Sequence, residues 1–270
     1  MSTASRQHDL PPVHVSLGAY GRLPHLLAVA EMLTHPPSDP LLGTLSCNQV
    51  QLCPQGTGVF SRDMAAELME TFPGIRWRLH ANVRVMGSHR VVDLCDWPRE
   101  RGYFQELAAV SHILKAPAYS AHAGRRARAT VQEVIWHAGD VEQLFGMPVA
   151  IEGHYPTRGA PWLFSSWEEY RLLLESGAHY ALDLSHLNIL ACQSGRREEV
   201  LVQEMLACER CIEIHVSGND GSSDQHLPLD VANPPWWYPL LKNIHAGATV
   251  FYEGRLPTHL RHPAATPATS

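Results

Sequence analysis

Eight short apolar runs, separated by stretches of helical periodicity, restrict this chain to very few folds. The runs are 13–18 (VHVSLG), 46–52 (SCNQVQL), 75–80 (IRWRLH), 117–122 (PAYSAH), 148–152 (PVAIE), 179–184 (HYALDL), 211–216 (CIEIHV) and 248–253 (ATVFYE). Helical periodicity falls between them at 23–33, 62–72, 99–115, 130–145, 165–176, 196–208 and 235–245. Near-continuous apolar strands alternating with helices fit a parallel sheet covered by helices, and eight of them give the count of a closed (β/α)8 barrel. A chain of 270 residues is long enough for that fold. The expectation is an α/β protein, a TIM barrel over residues 1–256 forming a single catalytic domain. The Pro-, Thr- and Ala-rich stretch 257–270 is expected to be a disordered tail.

Local signals set several boundaries. Ser166 followed by Glu169 reads as a helix-starting capping box, and Gly177 stands where a helix-ending glycine is expected. Pro73-Gly74 and Gly146 to Pro148 break helices just before strands.

What the strands end on is more specific. His80, His122, Glu152, Asp183, His215 and Glu253 close six successive runs, while His186, Asp224 and His226 follow two of them directly. In a (β/α)8 barrel all these ends share one face, the face where catalytic groups collect. Seventeen His and 27 acidic residues scattered at random would fall on helices and on both rims. Taken singly, each has an ordinary reading: a hydrogen-bonded or surface imidazole, or an acid capping a helix. Taken together, five imidazoles and four carboxylates at one mouth exceed the needs of one metal ion and suit two or three. This mixture of donors fits zinc, iron or manganese, and the lack of Cys argues against a closed structural zinc site. Glu152 and Glu253 are the expected bridging carboxylates, and Glu152, Asp183 and Glu253 the expected catalytic ones.

His89, His112, His137, His154, His179 and His245 lack such placement, although His154 shares the loop of Glu152 and is a candidate for the substrate side. Arg125 and Arg126, with Arg128, follow His122 and could clamp a substrate carboxylate or form a solvated loop. Asn82 and Asn188 could support the ligands by hydrogen bonds. The block WWYPLL at 236–241 reads as a helix packed on the barrel or as a partner surface.

Charge and composition exclude other classes. A net charge of −6 gives no general attraction to nucleic acid or anionic membrane. No apolar run approaches the roughly 18 residues of a membrane span, and MSTASRQHDLPP has no secretory h-region. Six Cys in a chain this long suit reduced thiols, with Cys208 and Cys211 structural. The expected location is cytoplasmic, with no membrane partner.

The order His80, His122, Glu152, Asp183-x-x-His186, His215, Asp224-x-His226, Glu253 resembles the full trinuclear ligand set of endonuclease IV, a member of the xylose-isomerase-like barrel superfamily. The surrounding words LHANVRVMGSH, YSAHAG and EIHVSGNDGSSDQHLP are more similar to the multinuclear non-haem iron-dependent oxidases of that superfamily. The resemblance spans about residues 75–255. DLSH is closer to the endonuclease form, and IEGHYP lacks the Glu-Asn-Pro of many oxidases. The oxidase resemblance implies a two- or three-iron site that uses O2 to remodel cysteine-derived groups on a ribosomally made precursor peptide. It also implies a small partner protein that presents the peptide. Two alternatives remain open: a zinc phosphodiesterase acting on DNA, and a metal-dependent sugar isomerase or epimerase. A non-enzymatic metal or partner module is the reading outside enzymes, and it predicts missing ligands.

Overall fold

The computed structural model describes residues 10–21, 23–54, 58–87 and 91–259. The stretches 1–9 and 260–270, with most of the expected disordered tail, lie outside the described residues, as does His89. In chain order the strands are β1 (Val13–Ser16), β2 (Ser38–Asp39), β3 (Gly43–Thr44), β4 (Ser46–Leu52), β5 (Arg76–Leu79), β6 (Tyr119–His122), β7 (Val149–Glu152), β8 (Tyr180–Asp183), β9 (Cys211–Val216) and β10 (Thr249–Tyr252). The helices are α1 (His25–Thr34), α2 (Arg62–Thr71), α3 (Arg101–Ile113), α4 (Val131–Phe145), α5 (Trp167–Glu175), α6 (Leu184–Ser194) and α7 (Glu199–Ala207).

Eight strands close into a barrel in the order β1-β10-β9-β8-β7-β6-β5-β4, with β4 pairing back to β1. Every pairing around it is parallel, so all strands end at the same rim. The eight runs read from the sequence are these eight strands. β2 and β3 form a small antiparallel hairpin outside the barrel.

Two expectations need correction. Helix α6 lies in 184–194, where no helix was expected, because it starts on the residue after β8 with no loop to announce it. The stretch 235–245 holds a 3-10 turn, Tyr238–Asn243, instead of an α-helix. Pro235 and Pro239 each lack the amide hydrogen an α-helix needs, which explains the tighter, shorter turn. Trp237, Leu240 and Leu241 of this block are buried, so most of WWYPLL is packing.

The apolar core fills the space between barrel and helices. Tyr119 on β6 stacks on Phe145 of α4, with ring centroids 5.0 Å apart, worth about 0.5–1.5 kcal/mol beyond the area it buries. Tyr180 on β8 is fully buried and donates its hydroxyl to the Met205 carbonyl on α7. Helix ends follow local chemistry. Thr130 and Glu133 form a reciprocal capping box on α4. Ser166 caps α5 by accepting from the Glu169 amide, while the Glu169 side chain reaches Ser165 instead of Ser166.

Candidate metal centre

Side chains alternate along a strand, so residues two apart face the same way. On β5, β6 and β9 this pairs Arg78 with His80, Ser120 with His122, and Glu213 with His215. All six are at least half-buried, facing the barrel interior, and five of the six are fully buried. The register sets His122 opposite Glu152 and Asp183 opposite His215. His80 and Glu253 stand just past their strands, yet their amides still donate to the neighbouring strands, to Leu52 and Val216. Six ligand-type residues thus arrive at one rim on rigid backbone.

The remaining three come from first turns and a pinned loop. Asp183 Oδ1 caps α6, accepting from the amides of Ser185 at 2.7 Å and His186 at 3.1 Å. Its other oxygen faces His186 Nε2 at 3.3 Å. Asp224 and His226 sit in a loop closed by paired backbone bonds between Gly218 and Leu227. His226 has a left-handed backbone, φ 48°, a conformation non-glycine residues hold only when their surroundings require it.

The structure brings all nine sequence-derived candidates together. Glu152 is the hub. Its oxygens lie 3.5 Å from His80 Nε2, 3.7 Å from His122 Nε2 and 3.3 Å from His215 Nδ1. Asp224 Oδ2 lies 3.5 Å from His186 Nε2 and 3.1 Å from His226 Nε2. Glu253 reaches both groups, with His215 Nδ1 and His226 Nδ1 each at 4.0 Å. Three overlapping triads, His80–His122–Glu152, His80–His215–Glu253 and Glu152–Asp183–His215, each offer donor atoms within 4.8 Å of one another. A cavity of about 270 Å³ opens above them, lined by Gly18, Cys53, Pro54, Ala81, Asn82 and every one of the nine except His215. His215 is completely buried beneath it.

Four of the five imidazoles are oriented alike. His186 Nδ1 donates to the Gly153 carbonyl at 3.0 Å. His80 Nδ1 meets Ser120 Oγ at 2.9 Å, and His215 Nε2 meets Glu213 Oε1 at 2.7 Å. His122 turns Nδ1 toward Asp93 at 3.7 Å. Each of these four rings therefore anchors one nitrogen on an outer partner and turns the other to the carboxylates of the cavity, the arrangement typical of metal-ligating histidine. His226 instead turns both nitrogens to cavity carboxylates, Nε2 to Asp224 and Nδ1 to Glu253.

Two further observations test whether cations fit. Glu152 Oε2 is buried and makes no hydrogen bond, a costly state for a carboxylate oxygen. Separations of 3.3–3.7 Å lie between the two Glu152 oxygens and three rings, with Oε2 facing His80 and Oε1 facing His122 and His215. Only the 3.3 Å contact to His215 Nδ1 is within hydrogen-bond reach. These separations suit atoms that share a cation at about 2.0–2.2 Å. Titration points the same way. Burial acts to lower His186 and His226, but Asp183 and Asp224 outweigh it and raise them to about 10 and about 9. Burial pushes Glu253 up to about 7, against the pull of His215. Burial holds His80 down at about 3 despite Glu152. Protons on His186 and His226 occupy places that a cation would take. The donor set fits a multinuclear metal site.

The substrate-side candidates fare differently. Arg126 makes a bidentate pair with Glu169, at 2.6 and 2.7 Å, so its guanidinium is already engaged. Arg125 lies over the Trp162 ring at 4.5 Å. Neither lines the cavity. His154 stacks on His122 with centroids 4.9 Å apart, and Trp162 stacks on its other face at 4.6 Å. Its Nε2 is buried, and burial lowers the ring to about 3, so it stays neutral and supports the plane of His122. Asn82 accepts from the Val92 amide at 2.7 Å and donates to Asp93; Asn188 donates to Asn219.

Sequence reasoning missed Gln51, Arg78, Asp93, Ser120 and Glu213. For four of them the signal was available. Arg78, Ser120 and Glu213 stand two residues before a ligand on its own strand, and Gln51 stands two before Cys53. Polar residues there must point into the barrel below the site.

No protein-family model matches the chain, and no curated protein matches it. Solved structures do. It is similar to a xylose isomerase domain containing protein from Salmonella typhimurium LT2, with TM-score 0.62 and 12% identity over 91% of this chain and 89% of that one. It is similar to a D-tagatose 3-epimerase-like protein, with TM-score 0.61 and 14% identity over 91% of both chains. It is also similar to an AP endonuclease, family 2, from Brucella melitensis, with TM-score 0.59 and 11% identity over 91% of this chain and 93% of that one. At such identities the likeness speaks for architecture alone: this chain is an α/β protein whose (β/α)8 barrel is similar to theirs.

Proposed function

We propose that the nine converging donors hold two or three metal ions and that the chain is a metal-dependent enzyme working at this rim. The single observation that carries the reading is the Glu152 carboxylate, buried, short of hydrogen bonds and faced by three imidazole nitrogens. His80, His122, His215, Glu152 and Glu253 would hold one side of the cluster, and Asp183, His186, Asp224 and His226 the other. Bound iron would supply redox chemistry with O2, whereas zinc or manganese would supply Lewis acidity.

Within that class, the reading extends to an iron-dependent oxidase using O2 on cysteine-derived groups of a ribosomally made precursor peptide. The words EIHVSGNDGSSDQHLP and YSAHAG support it. A peptide-presenting partner and a cytoplasmic setting belong to the same proposal; no helix among the described residues is long and apolar enough to cross a membrane. The chain's own groups fix the ligand rings in advance, so little reorganisation remains when substrate arrives. A cavity of about 270 Å³ suits a small group rather than a duplex.

The zinc phosphodiesterase is the second reading, favoured by the Asp183-x-x-His186 spacing. Against it, Arg126 is tied to Glu169, Arg128 lies 3.9 Å from Asp96, and the net charge is −6. A sugar epimerase would leave several of nine donors without use. Anaerobic loading with Fe(II), and separately Zn(II), followed by metal analysis, O2 uptake and incubation with abasic-site duplex DNA, separates these readings. The expected result is retained iron, O2 consumption by the iron form and intact DNA. Retention of zinc alone, or catalytic cleavage of the duplex, would overturn the oxidase.

A further inference from the structure

Beneath the ligand layer, the barrel carries polar groups where (β/α)8 barrels are usually filled by branched apolar side chains. Glu213 on β9 and Arg78 on β5 are 0% and 4% exposed, and Arg78 Nε lies 2.6 Å from Glu213 Oε2. In the strand order, β5 and β9 are four steps apart, so this ion pair spans the barrel. Three more donors converge on Glu213 Oε1. They are Ser120 Oγ from β6, Gln51 Nε2 from β4 at 2.8 Å, and His215 Nε2 at 2.7 Å.

We infer that Glu213 is a positioning residue that sets which nitrogen of both His80 and His215 faces the cavity. The inference rests on the metal reading above and adds the device that orients two of its ligands. An ionised carboxylate can only accept. His215 Nε2 meets both Glu213 Oε1 at 2.7 Å and the Gln51 amide nitrogen at 2.9 Å. The closer, charged carboxylate can be met only by an N–H, which puts hydrogen on Nε2 and leaves Nδ1 to face Glu152 and Glu253. Ser120 must donate to Glu213, so its oxygen lone pair is free to accept from His80 Nδ1. His80 Nε2 is then left to face Glu152. One carboxylate, kept charged by Arg78, thereby fixes two imidazoles on opposite walls of the barrel. Such outer partners are worth roughly 10–100-fold in metal affinity.

The test uses the full chain and zinc alone. Chelator competition measures zinc affinity in the wild type, Ser120→Ala and Glu213→Gln, while nitrogen-15 NMR of the zinc-loaded protein reads the imidazole tautomers. Ser120→Ala removes one hydroxyl and no charge, so it tests the idea even if Glu213→Gln, which leaves Arg78 buried without its partner, fails to fold. The expected result is hydrogen on Nδ1 of His80 and on Nε2 of His215, with about 10–100-fold weaker zinc binding in Ser120→Ala and a metal-free form that circular dichroism shows still folded. Opposite tautomers, or wild-type zinc affinity in Ser120→Ala, would overturn the positioning role while leaving the metal site standing. A wild-type chain that takes up no zinc, iron or manganese would overturn the metal reading itself, and this inference with it.

Discussion

At the scale of single residues, Glu152 carries the most consequence. It ends a buried strand, all but inaccessible to solvent, and its oxygens answer to rings from three other strands. Burying a carboxylate costs several kcal/mol unless cations compensate, and here the three imidazoles outweigh burial and hold it well below the usual carboxylate range. Replacing Glu152 by Gln keeps the shape and removes the charge. Metal affinity should then fall by more than the roughly 10–100-fold that losing an outer partner costs. Circular dichroism should show an unchanged barrel, and metal analysis after dialysis reads the loss; full retention of metal would remove Glu152 from the ligand set. Six of the nine candidate positions were legible because each is a charged or imidazole group closing an apolar run, and His186, Asp224 and His226 because they follow two of those runs. Glu213 and Arg78 were not, because inside a strand they look like ordinary exposed polar residues until the alternation is followed into the barrel.

At the scale of elements, α6 joins fold to site. Asp183 is at once the last residue of β8, the cap of α6 and a member of the candidate ligand set, so one carboxylate has two oxygens in separate roles. Asn caps helices about as well as Asp. Asp183→Asn should therefore keep the cap of α6, losing only the charge that faces His186, while weakening metal binding. Asp183→Ala should lose the cap as well, at about 1 kcal/mol. Equal metal affinity in Asp183→Asn would reduce Asp183 to a cap. Helix α1 supplies a pH test away from the ligands. His25 is 5% exposed, donates Nε2 to the Cys53 carbonyl at 3.0 Å and packs edge-on against Phe60. Burial lowers it from 6.5 to about 4, against that hydrogen bond. The folded chain thus refuses a proton that the unfolded chain accepts below pH 6.5. Stability from His25 is complete above 6.5 and is lost as pH falls toward 4, by on the order of 3 kcal/mol. In denaturant titrations, His25→Gln should flatten the fall in midpoint between pH 7 and 4.5; an identical slope would contradict this. The strands were legible as elements because their apolar runs are continuous. Helix α6 was hidden because a helix that begins without a loop leaves no turn signal in the sequence.

At the scale of the molecule, the alternation of eight strands and helices announced the barrel, and barrel geometry then collected groups separated by 173 positions, from His80 to Glu253, at one rim. What the alternation could not announce is the state of the rim. Arg126 is committed to Glu169 and Arg125 to Trp162, because those partners come from the following loop and α5, which only the closed barrel brings near. The resulting mouth is acidic beneath, and the guanidinium groups of Arg125 and Arg126 beside it are engaged by Trp162 and Glu169. That form suits holding cations against a small substrate group more than gripping a phosphate backbone.

The central claim is that this rim holds a metal cluster, and metal content per chain tests it most directly. The protein, stripped by chelator, loaded anaerobically with Fe(II), desalted and analysed by plasma mass spectrometry, should retain two or three ions per chain, with marked loss in Glu152→Gln. Fewer than one ion per chain in the wild type, with iron, zinc and manganese alike, would contradict it.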